Sequence, residues 1–145
     1  MIGLLQRVSG ASVSIEGEMT ARIDKGLLVL VGIRPDDDES SASRLIAKLL
    51  KYRVFGDDRG RMNRNLGQID GDLLLVPQFT LAADTRHGLR PGFSTAASPD
   101  LARDLFDAIV RLARAQHSKV QTGVFGADMQ VSLVNDGPVT LWLES

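Results

Sequence analysis

Cysteine is absent from the 145 residues, and histidine occurs only twice, as His87 and His117. The first absence removes disulfide scaffolds, zinc–thiolate and iron–sulfur sites and cysteine nucleophiles; the second leaves no histidine-rich metal site. Long apolar runs are missing too. None approaches the roughly 20 residues of a membrane-spanning helix, and Met1 to Ile15 lacks the layout of a signal peptide. We therefore expect a cytoplasmic protein with no metal, no cofactor and no membrane partner. Neither sign of charge dominates: 17 basic against 18 acidic residues give a net charge of −1, which argues against nucleic-acid binding by bulk charge. Walker, GxGxxG, HExxH and GxSxG motifs are also lacking, so P-loop hydrolysis, dinucleotide redox chemistry, zincin chemistry and a serine elbow are disfavoured.

What is present reads as one domain, 1–145. A chain of this mass exposes roughly 7,300 Å² folded against about 22,800 Å² unfolded, enough burial for a real core. Ala11 to Ile15 alternates as a strand, Gly17-Glu18 turns, and a second strand follows. Gly26 to Ile33 is a continuous apolar run, expected as a strand covered on both faces. Asp36 to Glu39 opens a helix running to about Tyr52, and Ser98-Pro99-Asp100 opens another running to about His117. Between them lie a Gly/Asn/Asp/Arg-rich loop or irregular hairpin (Gly56 to Gly71), a strand from Asp72 to Leu81 interrupted by Pro77, and a long loop from Ala83 to Ser98. Two closing strands, Met129 to Val134 and Val139 to Leu143, are joined by Asn135-Asp136-Gly137-Pro138. The expected class is α+β, mostly antiparallel, with curled, barrel-like sheets and two main helices.

Local features carry more than the totals. From Arg44 to Arg64 seven basic residues face two acidic ones, a local balance of +5: a phosphate-facing patch or simply a solvated face and loop. His117 at a helix end fits a partner of the helix dipole, and His87 fits an exposed loop residue. In Pro77-Gln78-Phe79-Thr80-Leu81, extended backbone would set the Gln78 amide beside the Thr80 hydroxyl. On periodicity alone this is an ordinary edge strand. Gly137-Pro138 reads either as a trans turn, since only about 5–6% of X-Pro bonds are cis, or as a rigid corner presenting its carbonyls to something.

Together these segments resemble the D-aminoacyl-tRNA deacylase family, of the D-Tyr-tRNA(Tyr) deacylase type. The resemblance spans nearly the whole chain: Gln6-Arg7-Val8, Met62-Asn63, Gln78-Phe79-Thr80-Leu81, Arg90-Pro91 with Phe93, Thr122-Gly123, Phe125-Gly126-Ala127 with Met129, and Asn135-Asp136-Gly137-Pro138-Val139-Thr140. It implies an enzyme that hydrolyses the ester joining a D-amino acid to the 3′ end of tRNA, and glycyl-tRNA mischarged on tRNA(Ala). It also implies a homodimer with its sites at the subunit interface. Gln78, Phe79 and Thr80 would form the catalytic wall. The partner's Gly137-Pro138 corner, with a cis bond, would reject L-aminoacyl groups. Arg7 would brace that partner corner, and Phe125 and Met129 would line the pocket. Catalysis would rest on the Phe79 and Thr80 N–H groups, with Thr80 as nucleophile the competing reading. Pro77 stands where the family usually has serine, and Pro-Gln is similar to a related branch with relaxed chiral selection. That branch and a non-catalytic tRNA-binding module are the alternatives.

Overall fold

A computed structural model describes residues 1–145. Its spine is β1 (Ile2–Ile15), which starts well before the alternating segment at Ala11. At Glu16 and Gly17 both φ angles are positive, and this tight turn returns the chain as β2 (Glu18–Ile23) along the second half of β1. β3 (Gly26–Gly32) pairs with the first half. After helix α1 (Glu39–Lys51), a short hairpin of β4 (Phe55–Gly56) and β5 (Met62–Arg64) leads to β6 (Asp72–Pro77), which lies parallel to β3. Helix α2 (Pro99–Gln116) is followed by β7 (Val120–Thr122), parallel to β6, and by β8 (Gln130–Glu144), antiparallel to β1. The main sheet runs β2-β1-β3-β6-β7, with β8 on the other edge of β1. It curls into a nearly closed, barrel-like surface carrying two helices, so the α+β class holds. Antiparallel pairs outnumber parallel ones, but the β3-β6-β7 segment is parallel.

The apolar run of β3 explains the layering. Leu27, Val29 and Val31 join Leu73 and Leu75 of β6 in a core against α1 and α2, built with Leu45, Ile46, Leu49, Phe106 and Ile109. Leu28 turns the other way and joins Leu74, Val76, Val8, Val13 and Ile23 inside the curl. Period-two alternation thus feeds two cores from one strand. The helices begin where the capping residues are. Asp38 accepts the Ser41 N–H at 2.8 Å, and Ser98 caps α2 with Pro99 at the first helical position.

Three expectations need correction. The closing segment is not two strands about a turn: β8 continues through Asn135 to Val139, because both halves pair with β1 and only the register slips, between Gln6 and Gly10. Pro77 does not interrupt a strand but ends it. The Gln78 N–H donates to Val31 O at 2.7 Å, on the β3 side, so residue 77 faces the side where pairing with β7 has stopped at Leu75. Finally, Phe79 to Ala82 is a 3-10 turn rather than extended chain.

Candidate active site

Where the parallel strands β3 and β6 end, a cleft of about 480 Å³ opens, and ten of its fifteen lining residues are apolar. Val31, Val76 and Pro77 form its strand side, Pro99 and Ala102 its helix side, and the segment Phe125 to Met129 closes it. Phe125 and Met129, expected as pocket residues, are both in this wall. The Met129 sulfur accepts the Val124 N–H at 3.3 Å. A Cβ on Gly123 would meet that sulfur at 2.9 Å and Pro77 Cδ at 3.3 Å, so only glycine lets these residues close together. Arg103 on α2 lies over the Phe125 ring, 5.4 Å from its centroid. Sequence reasoning missed Arg103 and gave Gly123 no role: an arginine on an exposed helix face and a glycine after a strand look ordinary without their neighbours.

Gln78 and Phe79 line the cleft; Thr80 does not. Thr80 faces a second, open hollow of about 830 Å³ with Arg34, Asp84, Arg86 and Trp142. The tight turn still brings the Gln78 amide and the Thr80 hydroxyl together, with the amide donating. In the turn Leu81 N–H bonds Gln78 O at 3.3 Å and Ala83 N–H bonds Thr80 O at 3.1 Å. The N–H groups of Phe79 and Thr80, at its open end, have no acceptor within the chain. The Phe79 ring is half exposed and packs tilted on Phe93, centroids 5.0 Å apart. No base contacts the Thr80 hydroxyl, since its partner amide is a donor.

Gly137 and Pro138 stand elsewhere. Their peptide bond is cis, so the trans reading from base rates is overturned, and Gly137 has φ +124. Arg7 donates to Asp136 O at 3.0 Å and to Val54 O at 2.6 Å, and its Nε lies 3.3 Å from the Asp136 carboxylate. The Asn135 amide clamps the bulge from within, donating to Arg7 O and Val139 O. Within the single chain Arg7 therefore holds its own corner. The corner does not line the cleft of the same chain, and its holder Arg7 pairs with Leu27, whereas Gln78 bonds Val31, four residues or about 13 Å further along β3.

Strong electrostatics lie outside the cleft. Two hydrogen bonds from Arg86 hold the Asp84 carboxyl well below the usual carboxylate range, which locks the turn entering the long loop. His117 Nε2 is 2.8 Å from Gly71 O, so that nitrogen carries a proton and the ring ties α2 to the chain before β6. His87 is an exposed loop residue. The cleft therefore offers apolar walls and, from Phe79, one unpartnered N–H group, with the free Thr80 N–H next to it on the turn that borders the second hollow, and no paired nucleophile and base.

A family model for D-Tyr-tRNA(Tyr) deacylase matches residues 4–144. The chain belongs to this family. Curated relatives named D-aminoacyl-tRNA deacylase include one from Pseudomonas putida (strain F1), 59% identical over 99% of both chains, and one from Ectopseudomonas mendocina (strain ymp), 61% identical over 97% of both. A solved structure named c-Myc DNA Unwinding Element Binding Protein superposes with TM-score 0.96 at 34% identity, covering 100% of this chain and 99% of that one. One described as a probable eukaryotic D-amino acid tRNA deacylase superposes with TM-score 0.85 over 99% and 98% of the two chains; at 17% identity it speaks to the deacylase-family fold alone.

Proposed function

We propose that this protein, as a single deacylase domain spanning 1–145, is a cytoplasmic hydrolase of D-aminoacyl-tRNA that releases the free D-amino acid and tRNA. It also clears glycyl groups mischarged on tRNA(Ala). The observation that carries the chemistry is the turn at the cleft edge, where the Phe79 N–H lines the cleft and the consecutive Thr80 N–H borders the second hollow, both without an acceptor in the chain. An aminoacyl ester is already activated, so a water attacking it needs positioning and a stabilised oxyanion more than a protein nucleophile. In this reading the ribose 2′-hydroxyl assists the water, Gln78 orients the turn through Thr80, and Phe125 and Met129 receive the terminal adenosine and aminoacyl group. The reaction calls for no metal or cofactor.

Chirality is read by a second copy of the chain. The corner is absent from the lining of its own cleft and is held by Arg7, whose row on β3 lies about 13 Å from that of Gln78, so it is free to line a partner's cleft, and β8 offers a docking edge: it pairs with β1 alone, with Val134 63% and Trp142 50% exposed. The accessible surface of the lone chain, 8152 Å², exceeds the about 7,300 Å² expected for its mass, as suits a protomer. Backbone carbonyls of Gly137 and Pro138 held by Arg7 cannot retreat, so an L side chain is excluded while D-aminoacyl and glycyl groups fit.

Release of D-Tyr from D-Tyr-tRNA with L-Tyr-tRNA spared is the expected result. Equal hydrolysis of both would remove the chiral claim and leave the relaxed-selectivity branch, as Pro77 suggests. The nucleic-acid-binding name of the 34% identical structure favours one other reading, a non-catalytic module. Binding with a steep salt dependence and no ester cleavage would establish it instead.

A further inference from the structure

The basic stretch ending at Arg64 is not used by the cleft chemistry, yet the fold ties it to the chiral corner. One guanidinium, that of Arg7, reaches both Val54 O at 2.6 Å and Asp136 O at 3.0 Å. The base of the β4–β5 hairpin and the Gly137-Pro138 corner are thus neighbours on one rigid support. On this hairpin and the end of α1 the cations divide into two groups. Arg64 pairs with Asp58 at 2.6 Å, and Arg61 lies 3.7 Å from Asp57. Asp57 is itself occupied as an acceptor for the Asn63 amide and the Arg59 and Arg61 N–H groups. Lys51, Arg53 and Arg59 are exposed and their side chains have no partner in the chain.

The wall of the cleft supplied by α2, Pro99 and Ala102, offers no cation, and the helix carries as many acids (Asp100, Asp104, Asp107) as bases (Arg103, Arg111, Arg114), while Asp128 lines the cleft itself. A polyanion leaving the cleft across this wall would gain no net attraction from it.

We propose that Lys51, Arg53 and Arg59 of one protomer bind the phosphates of the tRNA acceptor arm whose 3′ end occupies the partner's cleft. The inference rests on the reading that the corner enters the partner's site. The hairpin is fixed to that corner through Arg7, so docking the corner also sets these three cations beside the partner's cleft. Each subunit then contributes chiral rejection and RNA grip to the other's reaction, and neither is complete alone. Phosphate contacts of this kind position the RNA without reading its sequence.

The test compares wild type with the triple variant K51Q/R53Q/R59Q on two substrates, D-Tyr-tRNA and the D-tyrosyl ester of adenosine, which lacks the arm. The variant should hydrolyse the adenosine ester at the wild-type rate. On the tRNA, kcat/KM should fall on the order of ten- to hundredfold near 150 mM salt, and the slope of log affinity against log salt should shrink by about 2 to 3. An unchanged tRNA rate with both substrates cleaved by wild type overturns the hairpin assignment alone. Wild type inactive on both overturns the deacylase reading and this inference with it. Mixed dimers decide the sharing, with Phe79→Pro silencing one protomer. Activity on tRNA should survive when the triple substitution sits on the active protomer and fall when it sits on the silenced one; the reverse pattern refutes action across the interface.

Discussion

Replacing Gly137 by alanine tests whether the corner is a rigid part. At φ +124 the backbone is in a region essentially reserved for glycine, and an added Cβ would lie 2.8 Å from Arg7 Nη2 and 3.0 Å from Val139 Cγ2. Arg7 cannot simply swing away, because Val54 O and Asp136 O hold its guanidinium. Either the backbone keeps its strain and the guanidinium gives up a charged hydrogen bond, or the corner moves. The first response costs about 2.5–6 kcal/mol, the sum of 1–3 for the strained residue and 1.5–3 for the lost bond. Over most of the typical margin of about 5–15 kcal/mol such a protein still folds. Denaturant midpoints at unchanged m would measure the loss, and release rates from D- and L-Tyr-tRNA would measure selectivity. In an Arg7→Ala background the Cβ meets open space where the guanidinium was, so Gly137→Ala should cost less there, with a coupling of about 0.5–3 kcal/mol. A stability change below about 0.5 kcal/mol with unaltered D/L selectivity would refute the rigid-corner argument, which relies on one of these responses occurring.

Further expectations concern the turn, the cleft and the pH response. Phe79→Ala and Phe79→Pro both remove the ring that packs on Phe93, but only proline removes the free N–H, at a first-turn position where proline is tolerated. Proline should therefore lower kcat by a further factor of about 10²–10³, and equal rates for the two variants would discard the oxyanion role. Gly123→Ala should push the Met129 thioether toward the cleft, raising KM more than it lowers kcat, with a stability loss below about 1.5 kcal/mol because the sulfur is the far end of a flexible side chain. The Ser41 N–H and hydroxyl hold the Asp38 carboxyl below its ordinary value of 3.8. A depressed folded value means that the contribution is present above 3.8 and lost as pH falls through the folded value. The thermal stability advantage of wild type over Asp38→Asn should accordingly vanish on acidification from pH 5 to below that value; an advantage that grows on acidification would contradict the cap assignment.

Much of the fold was legible because local signals agreed with tertiary demands. The run Leu27 to Val31 required cover on both faces and received it from two cores, and the Asp38 and Ser98 caps began helices where side chains could accept the first N–H groups. The errors arose where a distant partner overrode the local pattern. Asn135 to Pro138 has turn composition, yet β1 pairs on both sides of it and keeps β8 continuous. Alternation through Gln78 to Leu81 suggested a strand, but no neighbouring strand extends that far: β3 ends at Gly32 and β7 pairs only to Leu75, so the chain coils into a 3-10 turn. Arg7 could be recognised as important from its motif. Which corner it holds depends on the register of β1 against β8, a contact 129 residues away in sequence.

The two misread segments are also the two to which the proposed function assigns the chemistry. A strand at Gln78 to Leu81 would commit its N–H groups to a ladder, whereas a 3-10 turn leaves its first donors free by geometry. A simple hairpin at Asn135 to Val139 would move with its loop, whereas a bulge inside a paired strand is held on both sides and can present backbone without yielding. Each site element therefore depends on regular pairing failing locally while continuing around it. Backbone groups cannot be rearranged by rotamer changes, so their precision comes from the sheet, and in the proposed function a second copy brings together the donor turn and the corner, whose holder Arg7 lies about 13 Å along β3 from the row of Gln78 in one chain.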